Sequence, residues 1–581
     1  MAISLRRRRE AAQGRYTPEL WSFWIVAPLA LVAVGALSLV LYHYAYELLA
    51  HAADAQRPRK PVDVNDVIKT TVTVLTLTGA VLAGVYAYRK QRIAEGDAHR
   101  ADASQLADRY TTAAEQLGHE QAAVRLAGVY ALARLADDWE EQRQVCIDVL
   151  CAYLRMPYQP VPEGEGHKVG EREVRLTIIS VIRDHLRNPA ATTAWCTYAL
   201  DFTGTTFDGG DLSQSCFRGE VYFTGAEFSD GEVHFTGAEF SDGEVHFTGA
   251  KFRGGKVHFT GAKFSGSTVH FTSAKFSGSE VSFAYTTYGG SEVDFTKAKF
   301  SGSTVYFTSS DFSGSTVDFS GAEFSGGEFS FTSADVSGGE LYFTSAKFNG
   351  SKVDFSDAEF SGGELYFTGA EFSDGEVSFT SAKFSGSTVY FTNAKFNGSK
   401  VDLRYAEFSG GKVNFGAAEF TGGEVDFRGV ELSDGKVYYG YAEFSGSKIN
   451  FGTARLSGSE VYFDRAEFSG GEVNFARAEF SGSRINFTRA LFSGGEVNFD
   501  CAEFSAGEVN FTRTTYNGSK VSFDRTTYSG GKVNFAGAVF SDGEVSFAHA
   551  MLQGGEVDFS DATCDGGVVL DMGPFRQALG A

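Results

Sequence analysis

The chain has 581 residues and a formal net charge of −22, which is unevenly spread. Residues 1–199 carry 23 Lys and Arg against 22 Asp and Glu, so residues 200–581, with 28 against 51, hold an excess of −23. The 54 Phe and 68 Gly beside only 9 Pro indicate a repeat array, which excludes the roughly four globular domains that length alone would suggest.

The N-terminal segment combines a basic arm with an apolar run. The arm, residues 1–19, contains four arginines at positions 6–9, and an uncharged run follows from 21 to 46. Because this run is long enough to span a bilayer and has Trp or Tyr residues at both ends, we predict a transmembrane helix over 20–46. The alternative is a cleaved signal peptide with Ala50-His51-Ala52 as the cleavage site, but the apolar core exceeds the roughly 7–15 residues of a signal.

A second uncharged run, 70–88, predicts a second transmembrane helix over 67–88, closed by Arg89, Lys90 and Arg92. Basic residues stand at both outer ends and few stand in the connecting loop, residues 47–66. The positive-inside rule therefore places that loop outside and both termini in the cytoplasm. Four small residues between positions 79 and 84 form a stripe that we interpret as the packing surface between the two helices, with a homodimer contact as the alternative.

Residues 95–190 predict a helical linker domain. Apolar residues share one helix face up to Leu117, and Gly118 ends that helix. Residues 124–135 are apolar nearly all round, which predicts the buried centre of a small bundle. Two more helices are predicted near 142–153 and 172–186, separated by a proline-rich loop.

The remaining chain is organised by a repeat. From Phe223 to Phe559 a twelve-residue unit, FTGAEFSDGEVH in its plainest copies, recurs for (559 − 223)/12 = 28 periods without insertion or deletion. The Ala-x-Phe and Val-x-Phe patterns put pairs of side chains on one face of a short strand, and Gly, Ser and Asp form the corners between strands. The sequence predicts a mainly β protein, with a parallel β-solenoid over 199–571, Phe ladders inside it, and a C-terminal cap over 572–581.

The units AEFSG and VHFTG resemble those of the pentapeptide repeat proteins, which have a small residue, any residue, Leu or Phe, and two polar residues. In that family four units make one turn of a quadrilateral right-handed β-helix, the fold that the resemblance implies here. Two extra residues follow every AEFSG-type unit, so this chain runs 5 + 7; only Phe202, Phe207, Leu212 and Phe217 keep the fivefold spacing. Residues 109–139 resemble a helical segment of bacterial membrane-associated pentapeptide repeat proteins. This resemblance implies the same order of domains, with membrane helices, a helical segment and then repeats. Together with the topology predicted above, it leads us to expect a multi-pass protein of the bacterial plasma membrane with its repeats in the cytoplasm.

One coil could hold 12 or 24 residues. The charged residues distinguish the two sizes, because side chains about 4.8 Å apart on neighbouring parallel strands favour opposite charges. The residue before each Val has ten like and ten opposite neighbours at a spacing of 12, but three like and fifteen opposite at 24. Leu341 with Leu365 also matches 24, whereas Tyr516 with Tyr528 matches 12. We predict 336/24 = 14 coils, a rod of about 70 Å. This coil size places one stack in strict alternation: Glu328, Lys352, Glu376, Lys400, Glu424, Lys448 and Glu472.

No arrangement of residues for catalysis stands out in the chain. The six Cys form no CxxC pair and have no His at zinc spacing, so we interpret them as free thiols in a reducing cytoplasm. His234, His246, His258 and His270 fall into two pairs on opposite faces of a 24-residue coil, and other residue types replace them in other repeats. We therefore predict surface histidines, and no catalytic, cofactor-binding or metal-binding residues.

Two non-enzymatic functions remain. The first is a membrane-tethered scaffold whose rod presents polar faces to an unidentified protein partner. The second follows from the resemblance, since some pentapeptide repeat proteins are acidic β-helices that mimic duplex DNA and bind a type II topoisomerase, gyrase. The excess of −23 favours the mimic, whereas the alternating Glu/Lys stack favours the scaffold because a mimic needs a nearly uniform negative potential. A membrane anchor would also hold the rod away from most DNA, so we predict the scaffold, with no direct nucleic-acid contact.

Overall fold

The computed structural model describes residues 23–55, 61, 63–161, 164, 166–564 and 567–575. The predicted basic arm (1–19), the basic residues of the predicted external loop and residues 576–581 of the predicted cap lie outside these ranges. The chain divides into two compact units. The first contains residues up to Gly118 together with Asp138–Glu141, and the second contains His119–Asp137 and everything from Gln142 onward.

The first unit consists of two long helices, α1 (Phe23–Asp54) and α2 (Val64–Leu117). By length and composition, both α2 and the Val32–Asp54 part of α1 are apolar enough to cross a membrane. The sequence predicts that the second transmembrane helix ends at position 88 and that a separate helical domain begins at position 95. In the structure α2 continues through this segment as one helix of 54 residues. Between Arg89 and Leu117 the chain has no Pro and is rich in Ala, Arg, Gln and Glu, which favour helix. The helix ends just before Gly118, as the sequence indicates.

The two helices pack through residues other than the predicted small-residue stripe. A groove between α1 and α2 is lined by Ser38 and Leu41 on one side and Thr71 and Val74 on the other. The stripe at 79–84 is exposed, and Gly79 and Gly84 have open space around them. The interpretation of the stripe as the hairpin contact is therefore wrong. Thr71 can pack in the hairpin because its hydroxyl group donates to the carbonyl oxygen of Val67 within its own helix.

Three helices precede the solenoid in the second unit, and the last two of them contact its first coil. They are α3 (Ala122–Asp138), α4 (Arg143–Arg155) and α5 (Glu171–Leu186), with a 3₁₀ turn at Glu140–Gln142. The buried Arg175 donates to the carbonyl oxygen of Leu154 at 2.6 Å and to that of Thr206 at 3.1 Å. Arg155 pairs with Asp201 at 2.9 Å. These contacts shield the apolar end that an open solenoid would expose.

Residues 200–571 form a right-handed parallel β-helix of about 15 turns, as predicted. From Val221 onward most strand partners stand one predicted coil length apart, as Val221 and Val245 do, so each coil places one strand on each of four faces. Glu376 lies between Lys352 and Lys400, which confirms the predicted coil size. Tyr516 and Tyr528 lie on different faces, so their spacing is misleading.

We number the faces 1 to 4 in the order in which the chain enters them. The strands of face 1 are Leu200–Asp201, Val221–Tyr222, Glu244–His246, Thr268–His270, Glu292–Asp294, Thr316–Asp318, Glu340–Tyr342, Glu364–Tyr366, Thr388–Tyr390, Lys412–Asn414, Lys436–Tyr438, Glu460–Tyr462, Ser483–Asn486, Gly507–Asn510, Lys532–Asn534 and Glu556–Asp558. The strands of face 2 are Thr206–Phe207, Glu227–Ser229, Lys251–Arg253, Lys275–Ser277, Lys299–Tyr306, Glu323–Ser330, Lys347–Asn349, Glu371–Ser373, Lys395–Asn397, Glu419–Thr421, Glu443–Ser445, Glu467–Ser469, Leu491–Ser493, Thr515–Asn517, Val539–Phe540 and Thr563–Cys564.

Two of these strands, Lys299–Tyr306 and Glu323–Ser330, continue into face 3. The other strands of face 3 are Gly210–Asp211, Glu232–His234, Lys256–His258, Glu280–Ser282, Lys352–Asp354, Glu376–Ser378, Lys400–Asp402, Glu424–Asp426, Lys448–Asn450, Glu472–Asn474, Glu496–Asn498, Ser519–Ser522, Gly543–Ser546 and Val568–Asp571. The strands of face 4 are Cys216–Phe217, Glu239–Ser241, Lys263–Ser265, Thr287–Gly289, Asp335–Ser337, Glu359–Ser361, Lys383–Ser385, Glu407–Ser409, Glu431–Ser433, Arg455–Ser457, Glu479–Ser481, Glu503–Phe504, Thr527–Tyr528 and Met551–Leu552.

Ladders of aromatic side chains fill the interior. Phe343 is fully buried and stacks on Phe319 and Phe367 at centroid distances of 4.9 and 4.8 Å. Rings of opposite ladders meet edge to face, as Phe331 and Phe343 do at 6.3 Å. Both arrangements are favourable for aromatic quadrupoles, so the side chains that the repeat keeps constant are those that hold successive coils together.

Two kinds of corner explain the 5 + 7 spacing. At a tight corner the carbonyl oxygen of Phe235 accepts from the amide of Ala238 at 3.0 Å, and Gly237 between them has a φ of 64°. The two extra residues of each unit widen the alternate corners. There a side chain on Gly375 would meet the carbonyl oxygen of Ser351 at 2.7 Å, so this glycine permits the close stacking of coils.

The first and last coils depart from the regular coil length. Leu200 pairs with Val221, which makes the first coil shorter than the others and fits the fivefold spacing of that segment. Gly543 pairs with Val568, so the last coil has gained one residue. Met572, which is 5% exposed, therefore takes the interior place that the repeat assigns to Asp571.

Candidate partner-binding surfaces

Face 1 carries a continuous row of acidic and aromatic side chains on its N-terminal half. We call its outward residues from Glu220 to Tyr390 the acidic stripe, which includes seven carboxylates and no Lys or Arg. Eight successive strands at about 4.8 Å spacing make it about 34 Å long. Its members are Glu220, Tyr222, Glu244, His246, Thr268, His270, Glu292, Asp294, Thr316, Asp318, Glu340, Tyr342, Glu364, Tyr366, Thr388 and Tyr390.

Glutamates two residues earlier hold three of the four tyrosines of the acidic stripe in place. The hydroxyl group of Tyr342 donates to Glu340 Oε2 at 2.6 Å, and that of Tyr366 donates to Glu364. The hydrogen bond with Glu340, together with burial, raises the pKa of Tyr342 to about 12. The rings of Tyr342, Tyr366 and Tyr390 stack at 4.6 and 5.0 Å. Such a rigid aromatic ladder beside carboxylates is suited to contact Arg or Lys side chains of another protein.

Face 3 differs because its carboxylates are neutralised by lysines. The predicted alternating stack is present, with Lys352 in register between Glu328 and Glu376. Lys352 pairs with Glu328 at 3.5 Å, and Lys400 pairs with Glu376 at 3.0 Å. Face 3 therefore lacks the single sign of charge that distinguishes the acidic stripe.

Two carboxylates of face 3, Asp402 and Asp426, are nearly inaccessible, at 1% and 0% exposure. Arg404 donates two hydrogen bonds to Asp402, from Nε to Oδ1 at 2.9 Å and from Nη2 to Oδ2 at 2.7 Å. Lys400 Nζ donates to Oδ2 at 2.8 Å. Burial opposes ionisation of Asp402, but the hydrogen bonds from Arg404 and Lys400 outweigh it and lower its pKa to about 2. Arg428 holds Asp426 in the same way. The cluster is internally balanced and presents little charge to a partner.

A row of arginines lies at the corner between faces 1 and 2, near the C-terminal end. Arg465, Arg489 and Arg513 occupy the corner position with a positive φ, at 56°, 62° and 57°. The guanidinium group of Arg465 lies over the ring of Tyr441 at 5.2 Å. Within the described residues, Arg489 and Arg513 form no ion pair. This cationic corner interrupts the acidic surface, so the rod is not uniformly negative.

The four histidines of the first coils form two stacked pairs on opposite faces, as predicted. The rings of His234 and His258 on face 3 are 4.9 Å apart, and those of His246 and His270 on face 1 are also 4.9 Å apart. Each pair has a glutamate nearby, since His234 Nε2 lies 3.7 Å from Glu232 Oε2 on face 3, but among the described residues only the face 1 ligand atoms all converge. Glu244, His246 and His270 each offer one ligand atom within 4.8 Å of the others, the one such group in the part of the chain that the structure describes.

Four of the six cysteines lie in the interior as free thiols, in line with their interpretation. Cys146, Cys151, Cys196 and Cys216 are buried. Burial raises the pKa of Cys146 to about 11 and that of Cys151 to about 12. Because the thiolate is the reactive form, such side chains are poor nucleophiles at neutral pH.

Neither the acidic stripe nor the convergence of Glu244 with the histidines follows from the sequence analysis above. The charge count that decided the coil size pools the residues before every Val, which belong alternately to faces 1 and 3. It therefore hides the difference in charge between these two faces. Once the coil size is known, the two faces separate in the sequence itself. Every 24th position from 220 to 388 is Glu or Thr and never Lys. This absence of Lys from one column of the sequence could have identified the acidic stripe.

Comparisons with known proteins identify the repeat. Residues 202–251 match the pentapeptide repeats family, in 9 copies, which confirms the resemblance for the repeat. Among solved structures, trypsin-treated QnrB1, a plasmid-mediated fluoroquinolone resistance protein, is 16% identical; the match covers 32% of this chain and 89% of that one, with a TM-score of 0.14. No curated protein is significantly similar to the chain. These comparisons indicate no enzyme family.

Proposed function

We propose that this pentapeptide-repeat β-helix is a membrane-anchored, non-enzymatic scaffold whose acidic stripe docks a protein partner with a basic surface. The observation that carries the proposal is the separation of charge around the rod. The acidic stripe has seven carboxylates without a Lys or Arg, whereas lysines pair with the glutamates of face 3 at the same level of the rod. A surface with one sign of charge steers an oppositely charged partner to it and fixes its orientation.

The stripe also offers features that stabilise a complex once it has formed. The stacked rings of Tyr342, Tyr366 and Tyr390 are preorganised by the backbone, and those of Tyr342 and Tyr366 also by hydrogen bonds to glutamates. Tyrosines held in this way lose little conformational entropy on binding, and they are common among the residues that dominate binding energy at interfaces. We expect the partner to place arginines or lysines between the carboxylates and against these rings.

The membrane anchor of the proposal consists of α1 and the first half of α2. Their apolar composition supports two crossings, and Arg89, Lys90 and Arg92 support a cytoplasmic location for the repeats. The plasma membrane of a bacterium is the location that we propose. Exposed small residues at 79–84 of α2 offer a surface through which two copies could pair as a homodimer.

A second candidate function is mimicry of duplex DNA for a type II topoisomerase. The acidic stripe favours it, since about 34 Å of one face carries seven carboxylates and no Lys or Arg. The Glu/Lys pairs of face 3 and the arginine corner disfavour it, because a duplex is negative on every side. The scaffold is therefore the preferred function.

The test is a pull-down from native membranes with the detergent-solubilised full chain. The stripe variant carries Glu292→Gln, Glu340→Gln and Glu364→Gln, which removes charge but keeps side-chain size. The matched control carries Glu328→Gln, Glu376→Gln and Glu424→Gln on face 3. We expect the wild type and the control to retain the same partner and the stripe variant to lose it, with retention by the wild type weakening as salt rises.

Equal retention of the partner by all three proteins would contradict docking on the acidic stripe. Purified gyrase distinguishes the second candidate in the same assay. Salt-sensitive gyrase binding by the wild type, strengthened when Lys352, Lys400 and Lys448 are changed to Glu, would favour the DNA mimic over the scaffold.

A further inference from the structure

We propose that Glu244, His246 and His270 form a binding site for a divalent transition-metal ion of the Zn²⁺ type. The sequence alone indicates surface histidines without a metal. The structure adds Glu244 to the pair and places a further carboxylate behind it. The site does not depend on the scaffold function, and it can be tested on its own.

The backbone places the three ligands together. Glu244 and His246 belong to one strand, and His270 lies directly beside His246 in the next coil. Glu244 Oε2 is 3.3 Å from His246 Nε2 and 3.9 Å from His270 Nε2. Bonds of about 2.0–2.2 Å to a tetrahedral Zn²⁺ require ligand atoms roughly 3.3–3.6 Å apart, so small side-chain rotations suffice. Imidazole and carboxylate are both ligands that Zn²⁺ accepts, and water would complete the coordination.

A second carboxylate lies next to one of the histidines, beyond hydrogen-bond distance, and a small side-chain rotation would bring it into contact with the ring. Asp294 lies beside His270 in the following strand, with Oδ2 4.0 Å from His270 Nδ1. Thr272 donates to Asp294 Oδ2 at 2.6 Å, and the amide of Thr296 donates to Oδ1 at 2.7 Å. A carboxylate on Nδ1 keeps the proton there and leaves Nε2 free to bind a metal, an arrangement that is common around metal-bound histidines.

The surroundings of the pair favour a cation. The imidazoles are partly buried, with 21% of the His246 side chain and 28% of the His270 side chain exposed. The acidic stripe supplies negative charge on both sides and no competing Lys or Arg.

The chain contains its own comparison in the other histidine pair. His234 and His258 on face 3 stack at the same 4.9 Å. Lys256 takes the place of Thr268 there and pairs with Glu280 at 3.2 Å, and Ser282 takes the place of Asp294. Glu232 lies 3.7 Å from His234 Nε2, as Glu244 lies beside His246, but this pair has an ammonium group beside it and no carboxylate behind it. We therefore expect it to bind a metal far more weakly.

The experiment compares two double variants of the full chain in detergent. His246→Asn with His270→Asn removes the proposed ligands, and His234→Asn with His258→Asn is the matched control. Asn already occupies these columns in later coils, as Asn414 on face 1 and Asn450 on face 3, so both variants are expected to fold. Calorimetric titration with Zn²⁺ should give one tight site per chain in the wild type and the control. Loss of two ligands should weaken that site by at least about 100-fold.

A third variant and a second metal separate the proposed site from unspecific binding by other histidines. Asp294→Asn should weaken Zn²⁺ binding by about 10-fold, the usual effect of losing an orienting carboxylate. Co²⁺ should give the visible absorption of a four-coordinate ion in the wild type and the control, but not in His246→Asn with His270→Asn. The proposal is overturned if the wild type binds no Zn²⁺, or if both double variants lose the site or both keep it.

Discussion

Tyr439 occupies a Phe position inside the solenoid, and its hydroxyl group is buried without a hydrogen-bond partner among the described residues. Its ring stacks on Phe415 and Phe463, each at 4.8 Å. Tyr439→Phe keeps the ring and removes the unsatisfied polar group. We expect the free energy of unfolding to rise by about 1–3 kcal/mol, which thermal or denaturant unfolding of the full chain would measure.

The same substitution at Tyr342 is the control for Tyr439→Phe. The hydroxyl group of Tyr342 reaches the surface and donates to Glu340 at 2.6 Å. Removing it breaks this hydrogen bond and removes no unsatisfied buried polar group. Tyr342→Phe should leave the melting temperature unchanged or lower it. An equal rise in both variants would show that an unsatisfied hydroxyl group is not the cause.

Asp402 makes the stability of the solenoid depend on pH. Its pKa is about 2 in the folded chain, against an ordinary value of 3.8. Because the folded value is the lower one, ionised Asp402 stabilises the fold above about pH 4, and this contribution is lost as the pH falls through about 2. The shift corresponds to about 2 kcal/mol, so Asp402→Asn should destabilise the protein by about that amount at neutral pH.

The check is the difference in free energy of unfolding between the wild type and Asp402→Asn, measured from pH 7 to pH 2. The difference should be constant above about pH 4 and shrink below it, since protonated Asp402 resembles Asn. Asn is sterically suitable because Asn450 and Asn474 occupy the same column in later coils. A difference that stays constant down to pH 2 would mean that the ionised carboxylate contributes nothing.

The alternating stack on face 3 holds successive coils in register. Lys352, Lys400 and Lys448 each pair with a glutamate of a neighbouring coil, at 3.5, 3.0 and 3.6 Å. Each cross-strand pair contributes about 0.2–1 kcal/mol, and like charges are destabilising by similar amounts. Changing all three lysines to Glu should therefore destabilise the fold by about 1–4 kcal/mol in total, seen as a lower melting temperature.

A charge-reversed partner variant controls for effects of the new side chains. Changing Glu328, Glu376, Glu424 and Glu472 to Lys in the same protein restores the alternation with opposite signs. The melting temperature should recover in part, because Asp354 and Asp402 still stand beside the former lysines. No recovery at all would mean that register does not depend on these pairs.

The coil could be predicted from the sequence because its determinants repeat. Every Phe, Ala and Val of the unit faces the interior. The sequence separation between residues of opposite charge, such as Glu376 and Lys400, equals the separation between hydrogen-bonded neighbouring strands. The pair Tyr516 and Tyr528 misleads because the two halves of a coil are built alike, so a substitution in both halves carries no information on coil size. The uninterrupted course of α2 escapes prediction for a different reason: a change from apolar to charged residues marks a membrane boundary but does not end a helix.

The candidate surfaces were less predictable than the fold. Glu244 and His246 belong to one coil and His270 to the next, and only a known coil size shows that the three side chains meet. The buried position of Asp402 depends on Arg404 two residues later, a pairing that does not recur in most coils and so has no period to reveal it. Interior residues are fixed by packing and repeat, whereas outward residues vary from coil to coil.

At the scale of the whole molecule, the excess of −23 on residues 200–581 is less informative than its distribution. The N-terminal half of face 1 carries carboxylates without Lys or Arg, face 3 is internally paired, and arginines occupy two corners of the C-terminal half. A rod of this kind has distinct sides, so a partner can recognise both its direction and its rotation about the long axis. This is a property that a scaffold needs and that a uniformly charged rod lacks.

The proposed membrane topology predicts which cysteine can be labelled from each side. Cys564 is exposed near the C-terminal end of the solenoid, Cys501 is partly exposed, and the other four cysteines are buried. In a Cys501→Ser background, a membrane-impermeant maleimide should leave Cys564 unmodified in intact cells and modify it once the membrane is opened. Ser is suitable at position 501 because Ser381 adopts the same positive φ, 58°, at an equivalent corner.

A cysteine placed in the connection between α1 and α2 gives the complementary result. Pro61 is exposed there and lies on the side that the positive-inside rule assigns to the exterior. In a chain that also carries Cys564→Ser, Pro61→Cys should be modified in intact cells, because two crossings place this connection opposite the repeats. If Cys564 is modified in intact cells and Pro61→Cys is protected, the orientation is reversed, and the acidic stripe must meet its partner outside the cytoplasm. If both sites are protected until the membrane is opened, α1 and α2 do not cross it, and the anchoring part of the proposed function fails while docking on the acidic stripe can still hold.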